Sequence, residues 1–579
     1  MRHLIARPLE LLAHHLNSWH QVMRDHSVLE VARNRALVSA GVFLLGFGII
    51  SFRLSEVMLF RSERVIVSTD YEQLPSYVAK RADIVDRNGE ILATHLVTAS
   101  VYANPKVIIN PEEAALKLSK LIPELYYDTL LKKLKSDKGF VWVIRHIPPR
   151  LQNEINRLGI PGVYLQKDER RVYPYGNLVS HVLGYCGVDN EGLAGVEKYF
   201  DQQLRQDASA LQLAIDIRIQ HIIYDELKTA IATFMAEGGN AMVMDVDTGE
   251  ILAMVSLPDF DPNLPNQNLL EATFNRNTLG IYECGSTFKI FNTAISLESG
   301  KANLTSRYDA TTPIKIGSKQ IKDFKGKNRV LDVKEVFIYS SNIGSAKMAL
   351  DFGAELQKQY LGRFGLLSAP TIELPEVGAP LVPKTWREVT TMTIAYGYGI
   401  AVSPLMLLDA IRVVIKGKKT SNATLLKRNS QLLPEDGIEV VSEKTARSIR
   451  WLMRLVATEG TARKADVPGY NVIAKTGTAH KKEGRSYSDA KLSSVVVAFP
   501  EENPKYILNV FLDNPKPTKA TYGYATGGWT AAPVAGRIVA RLAPLVGVQP
   551  DYSGENHRNG YNSNIVEIRH TVDRQDAYR

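Results

Sequence analysis

From Ala36 to Phe52 the chain reads ALVSAGVFLLGFGIISF without a single charge; Arg53 interrupts, and LSEVMLF follows before Arg61. A membrane span needs about 17–25 apolar residues, and an arginine near its end can snorkel to the interface. The run lies farther from the N-terminus than the apolar region of a secretory signal and lacks a small-x-small cleavage site, so it predicts an uncleaved anchor. The leader before it reads as helical and mildly basic. Beyond Arg64 the pattern is mixed: strand-like SVYANPKVII precedes helical PEEAALKLSKLI. Near Leu211 the character changes, and LQLAIDIRIQHIIYDELKTAIATF predicts a strand end followed by a long amphipathic helix. The apolar runs AMVMDV and ILAMVS, joined across Asp247-Thr248-Gly249-Glu250, predict a hairpin. SSVVVAFP and KYILNVFLDNP form a second strand pair, with long helical stretches between the two groups. Strands at both ends of a domain and helices in its middle imply one sheet assembled from distant segments and covered by helices. After about Val548 the chain turns polar, as a loose tail does. The predicted divisions are 1–35 (leader), 36–60 (anchor), 61–205 (membrane-proximal domain), 206–548 (large domain) and 549–579 (tail).

Composition narrows the function classes. A length of 579 residues suggests three or four domains, and 45% hydrophobic residues supply large cores. The formal charge of +9 is spread along the chain with no nucleic-acid motif beside it, so no nucleic-acid partner is expected. Cys186 and Cys284 are too few for a disulfide framework or a cysteine zinc site, and they fall in different predicted domains, so two unpaired thiols are expected. No ligand cluster or glycine-rich phosphate loop is visible, so neither metal nor cofactor is expected. Arg33 and Arg35 precede the span while Arg53, Arg61 and Arg64 follow it, and the positive-inside rule gives no orientation.

The candidate chemistry begins at Ser286-Thr287-Phe288-Lys289. A nucleophilic serine needs a nearby base, and on a helix a serine and a lysine three residues apart share a face. The residues that follow, to Leu297 and Gly300, are apolar almost all round, as in a buried helix. Burial and a second cation would lower the lysine pKa and make it a usable base. Ser488-Asp489-Ala490-Lys491 has the same spacing but lies in a polar run, which reads as a loop. Two further motifs set Ser286 apart: Ser340-Ser341-Asn342 at the start of a helical run (SNIGSAKMAL), and Lys475-Thr476-Gly477-Thr478 after strand-like NVIA. His480, just beyond, reads as an exposed histidine at a strand end.

These three motifs in this order resemble the signature of penicillin-binding proteins. With YECGSTFK, AMVMDVDTGEILAMVSLPDFDPN and AYGYGIAVSP, and with RADIVDRNG, RRVYPYGNLVSHVLGY and GLAGVEKYFD earlier, the chain is similar to class B penicillin-binding proteins over nearly everything after the leader. Cys284 stands where that family usually has proline. The resemblance implies an α+β fold: a penicillin-binding/serine β-lactamase-like transpeptidase domain, an elongated mixed α/β pedestal and an N-terminal transmembrane helix. It implies Ser286 as nucleophile, Lys289 as general base, Ser340 and Lys475 as proton relay, and the backbone N–H groups of Ser286 and Thr478 as oxyanion hole. Asn342, Thr476, Gly477 and Thr478 would bind substrate. Asn342 matches the serine-x-asparagine of the cell-division (FtsI) branch rather than the elongation branch.

The implied partners are peptidoglycan stem peptides, β-lactams as covalent inhibitors, a glycan polymerase and other division proteins. The implied location is the bacterial inner membrane, with the N-terminus cytoplasmic and residues 61–579 periplasmic. An elongation-type transpeptidase, a D,D-carboxypeptidase or β-lactamase of the same fold, and a non-catalytic β-lactam receptor or division scaffold are the alternatives.

Overall fold

The computed structural model describes residues 28–60, 81–206, 209–264, 270–317, 319–428, 437–484 and 486–552. Most of the predicted leader, the segment 61–80 and nearly all of the predicted tail lie outside the described residues. The apolar run belongs to one helix, α1 (Val28–Phe60), and none of Arg35–Phe52 is buried. By length and composition this helix can cross a membrane.

The membrane-proximal domain is built on one long strand. After β1 (Ile84–Val85), β2 (Ile91–Ala103) pairs antiparallel with β1, with β3 (Val141–Ile147) and, along ten positions, with β4 (Val163–Val172). β5 (Leu211–Gln212) returns parallel to β1 and hands the chain to the large domain. Helices α2 (Pro111–Leu121), α3 (Tyr127–Leu134) and α4 (Pro149–Arg157) supply the apolar cover. Their core unites Val101 and Val143 from the sheet with Leu118, Leu134 and Ile155 from the helices. Asn110 caps α2 by accepting from Glu113 N, with Pro111 at the first helical position, where its missing N–H costs nothing.

At the base of this domain the three early motif segments meet in a buried ion network. Glu197 accepts from Arg81 Nε at 2.7 Å and from Arg171 Nε at 2.6 Å, and Arg81 also reaches Asp201 at 2.6 Å. Cys186 and Cys284 are both buried and unpaired, and burial pushes both thiols up, Cys186 to about 12. Neither supplies a thiolate at neutral pH.

The large domain opens with α5 (Ile217–Phe234), capped by Asp216 and closed by Met235 in the left-handed region. Its sheet joins β6 (Gly238–Asp245) and β7 (Ile251–Leu257) to β8 (Ile473–Glu483), β9 (Ser486–Phe499) and β10 (Tyr506–Asp513), all antiparallel, in the order β8-β9-β10-β6-β7. More than two hundred residues separate β7 from β8 in sequence. The helices between include α6 (Lys289–Glu298), α7 (Asn342–Arg363), α8 (Pro404–Lys416) and α9 (Glu443–Thr458), and α10 (Ala531–Leu545) follows the sheet. β6, β7 and β10 are buried on both faces, which explains their largely apolar runs. Ser493 meets Thr530 beside α10, whereas Asn509, opposite Val496, donates to Pro404 O at the start of α8. Positions 493 and 496 have opposite parity on β9, so the two helices cover opposite faces of the sheet.

One expectation is corrected here. Ser488-Asp489-Ala490-Lys491 lies on β9, not in a loop. The outer part of β9 forms an arm with β8 that is largely open to solvent, so its residues are polar although the backbone is a paired strand. Three residues apart on a strand, Ser488 and Lys491 point to opposite faces and cannot act as a pair.

Candidate active site

The nucleophile candidate stands at a junction. Gly285–Phe288 form a 3₁₀ turn that runs directly into α6, so Ser286 sits one turn ahead of the buried Lys289. Lys289 Nζ lies 2.8 Å from Ser286 Oγ and donates to Ser340 O and to Asn342 Oδ1, both at 2.8 Å. Ser340 Oγ lies 3.1 Å from Lys289 Nζ and 3.1 Å from Lys475 Nζ. The side chains of Ser286, Lys289, Ser340, Asn342 and Lys475 therefore share one hydrogen-bonded cluster.

Charge in this cluster follows from burial. Lys289 is pushed well below the ordinary lysine range, first by burial and then by the neighbouring Lys475, against a smaller opposing pull from Asp323. Burial lowers Lys475 to about 7. A neutral amine has two N–H bonds and one lone pair. The Ser340 carbonyl and the Asn342 amide oxygen can only accept, so in the neutral form of Lys289 they take its two N–H bonds and leave the lone pair for the Ser286 hydroxyl. The Asn342 orientation is fixed because its Nδ2 donates to Lys322 O at 3.0 Å.

Ser340 has φ 59°, a left-handed conformation uncommon for serine, and this turns its hydroxyl toward the two lysines. The helix cap is the next residue: Ser341 accepts from Gly344 N. Sequence reasoning missed Asp323. Its carboxylate accepts from Ser341 Oγ (2.7 Å), Asn342 N (2.6 Å) and Ile343 N (3.0 Å), tying the first turn of α7 to a loop some twenty residues earlier. A local spacing rule contains no signal for such a cap.

On β8 the side chains alternate. Lys475 and Gly477 face the nucleophile turn, whereas Thr476 bonds Thr461 Oγ1 (2.6 Å) and Thr478 Oγ1 accepts from Gly527 N (3.0 Å). A Cβ on Gly477 would collide with Ser494 Oγ and lie 2.7 Å from Cys284 O; one on Gly285 would lie 2.6 Å from Thr478 O. These two glycines let the backbones of the turn and the strand touch, Gly285 against Thr478 and Gly477 against Cys284. Gly477→Ala is therefore expected to lower the rate of Ser286 acylation about 100-fold, because a misplacement of about 1 Å can cost that much. Stopped-flow acylation by a chromogenic cephalosporin checks this; a rate within threefold of wild type would refute the close-approach argument. His480 lies on β8, exposed, with Nδ1 3.0 Å from Ser488 O, outside the lysine–serine cluster.

A hydroxyl beside a buried amine held well below the ordinary lysine range, with a second buried amine across Ser340, defines a serine acyltransferase site. Residues 239–540 match the penicillin-binding protein transpeptidase domain and residues 76–221 the penicillin-binding protein dimerisation domain. The chain belongs to the penicillin-binding protein transpeptidase family. It is 37% identical over 483 residues to the probable peptidoglycan D,D-transpeptidase FtsI of Caulobacter vibrioides, covering 81% of this chain and 82% of the relative. Peptidoglycan D,D-transpeptidase FtsI of Escherichia coli K12 is 28% identical over 568 residues, covering 91% and 94%. The apo transpeptidase domain of Burkholderia pseudomallei penicillin-binding protein 3 superposes with a TM-score of 0.52 at 33% identity, covering 58% of this chain and 97% of that one.

Proposed function

We propose that this protein is the septal peptidoglycan D,D-transpeptidase of its cell, a serine acyltransferase that cross-links stem peptides during division. The observation that carries the chemistry is Lys289 Nζ, 2.8 Å from Ser286 Oγ, with two obligate acceptors beside it to take its N–H bonds. Lys289 takes the proton as Ser286 Oγ attacks the carbonyl between the two D-alanines of a donor stem. The C–N bond then breaks, and Ser340 with Lys475 passes a proton to the departing D-alanine amine. The amides of Ser286 and Thr478 stabilise the oxyanion, while Thr476, Gly477 and Thr478 line the place of the terminal carboxylate. Asn342 holds Lys289 in place and presents its amide to the donor peptide. In the second half-reaction an amine of a neighbouring stem attacks the ester carbonyl; the new C–N bond replaces the C–Oγ bond, and the amine's proton returns to Oγ by way of Lys289. β-Lactams imitate the acyl-D-Ala-D-Ala unit and stop at the ester.

The septal assignment rests on the FtsI relatives and on Asn342. α1 anchors the chain in the inner membrane with the N-terminus cytoplasmic, since the substrate lies outside that membrane. A glycan polymerase and other division proteins complete the assembly. The test is covalent labelling with a fluorescent penicillin: wild type gives a penicilloyl adduct on Ser286 that persists for hours, and Ser286→Ala gives none. An adduct lost within seconds would favour a β-lactamase. Septal cross-linking that survives Ser286→Ala would favour a scaffold.

A further inference from the structure

Beside the nucleophile turn lies a carboxylate with no cation. Glu283, three residues before Ser286, accepts through Oε1 from Gly399 N (2.7 Å) and from the Tyr487 hydroxyl (3.2 Å). Its Oε2 is buried without a partner, and among the described residues no ion pair reaches it. Three rings stand around it. Tyr396 and Tyr398 come from the loop before α8, and Tyr487 from the arm of β9, with ring centroids 5.7 Å apart for the first two and 5.5 Å for Tyr398 and Tyr487. Burial, followed by Tyr398 and Glu283, pushes the Tyr396 phenol up to about 12; burial and Glu283 also raise Tyr487. The phenols therefore stay neutral.

This cluster hangs on the segments that carry the chemistry. A Cβ on Gly397 would collide with Gly285 O, so the tyrosine loop abuts the nucleophile turn. The Tyr398 hydroxyl accepts from His480 N at 3.1 Å, two residues past Thr478 on the same strand. A carboxylate beside three tyrosines suits an alkylammonium ion, which pairs with the carboxylate and is attracted by aromatic rings. A carboxylate half-removed from water without a counter-ion costs free energy that a bound cation offsets.

The reaction uses one substrate of that kind. The donor presents a terminal carboxylate, whereas the acceptor brings a primary amine that is an ammonium at neutral pH. We propose that Glu283, Tyr396, Tyr398 and Tyr487 bind the side-chain ammonium of the acceptor stem. The cage collects the amine beside the acyl ester before it loses its proton, and so favours aminolysis over hydrolysis. This rests on the transpeptidase reading above.

The test uses the full chain in detergent, a thioester analogue of acyl-D-alanyl-D-alanine as donor, and N-acetyl-L-Ala-γ-D-Glu-L-Lys, whose ε-ammonium is its one amine, as acceptor. Thiol release reports acylation, and mass spectrometry separates the aminolysis product from the hydrolysis product. Glu283→Gln is expected to raise the acceptor KM at least about tenfold and to shift product toward hydrolysis. Tyr487→Leu is expected to raise the same KM, and Tyr487→Phe, which keeps a ring face, to raise it less. An unmoved acceptor KM with normal thiol release would sink this proposal alone. A fall in thiol release as large as the fall in aminolysis would also overturn it, because Glu283 would then merely brace the nucleophile turn. Absent thiol release from wild type would defeat the transpeptidase reading itself, and this one with it.

Discussion

Lys289→Met is expected to slow acylation of Ser286 by penicillin about 10²–10⁴-fold, the range that a positioned general base supplies. The substitution keeps the length and apolar stem of the side chain inside a site that is fully buried, so packing changes little. What it removes is the lone pair 2.8 Å from Ser286 Oγ. The pH profile separates this from a general loss of structure. Lys289 acts only when neutral, so the wild-type rate falls as pH drops through its pKa, which burial and Lys475 hold well below the ordinary value. Removing that neighbour with Lys475→Met lets the Lys289 pKa rise. The acid limb should then move to higher pH, on top of the loss of the relay. Stopped-flow acylation from pH 5 to 10 measures both effects. A Lys475→Met profile displaced toward acid would contradict the coupling between the two amines.

The parts of this molecule that could be read from sequence are those whose cause is local. The β6–β7 hairpin shows because two apolar runs flank a glycine-containing polar turn, and α1 shows because its run is long and free of charge. Ser286 and Lys289 can be paired because three residues on a helical turn bring side chains together whatever the rest of the chain does. Contacts between segments left no such trace. Asp323 caps α7 from some twenty residues away, Thr461 meets Thr476 on β8, and Glu283 lies beside tyrosines 113 to 204 residues downstream. The arm of β9 hides its strand character for a related reason. Its residues face solvent, so polarity there reports exposure rather than backbone conformation. Ser340, placed next to the cap instead of on it, shows that a motif fixes which residues meet but not which of two neighbouring serines serves the helix.

Glu197→Ala is expected to destabilise the membrane-proximal domain by about 3–5 kcal/mol, the usual cost of removing one partner from a buried ion network. Glu197 is fully buried and, among the described residues, is the one carboxylate that touches both Arg81 and Arg171; Arg81 is itself fully buried and Arg171 nearly so. Losing it leaves two guanidinium groups of like sign in the interior, and Asp201, a third exposed and shared with Arg205, reaches Arg81 but not Arg171. The Arg81 link from Nη2 to Glu197 O and the Arg171 link to Ala82 O are backbone contacts that survive the substitution, so the loss isolates the charge rather than the fold. Because Arg81, Arg171 and Glu197 come from segments more than a hundred residues apart in total, the network staples the start of the domain to its end. Urea unfolding followed by Trp142 fluorescence, whose ring lies in the β3 part of this domain, measures the effect. An unfolding midpoint unmoved by Glu197→Ala would mean that the apolar core alone holds this domain together. Arg81→Met combined with Glu197→Ala should recover part of the lost stability, since it removes one of the two stranded charges, and a double variant weaker than the single one would show that Arg81 contributes mainly through its backbone contact.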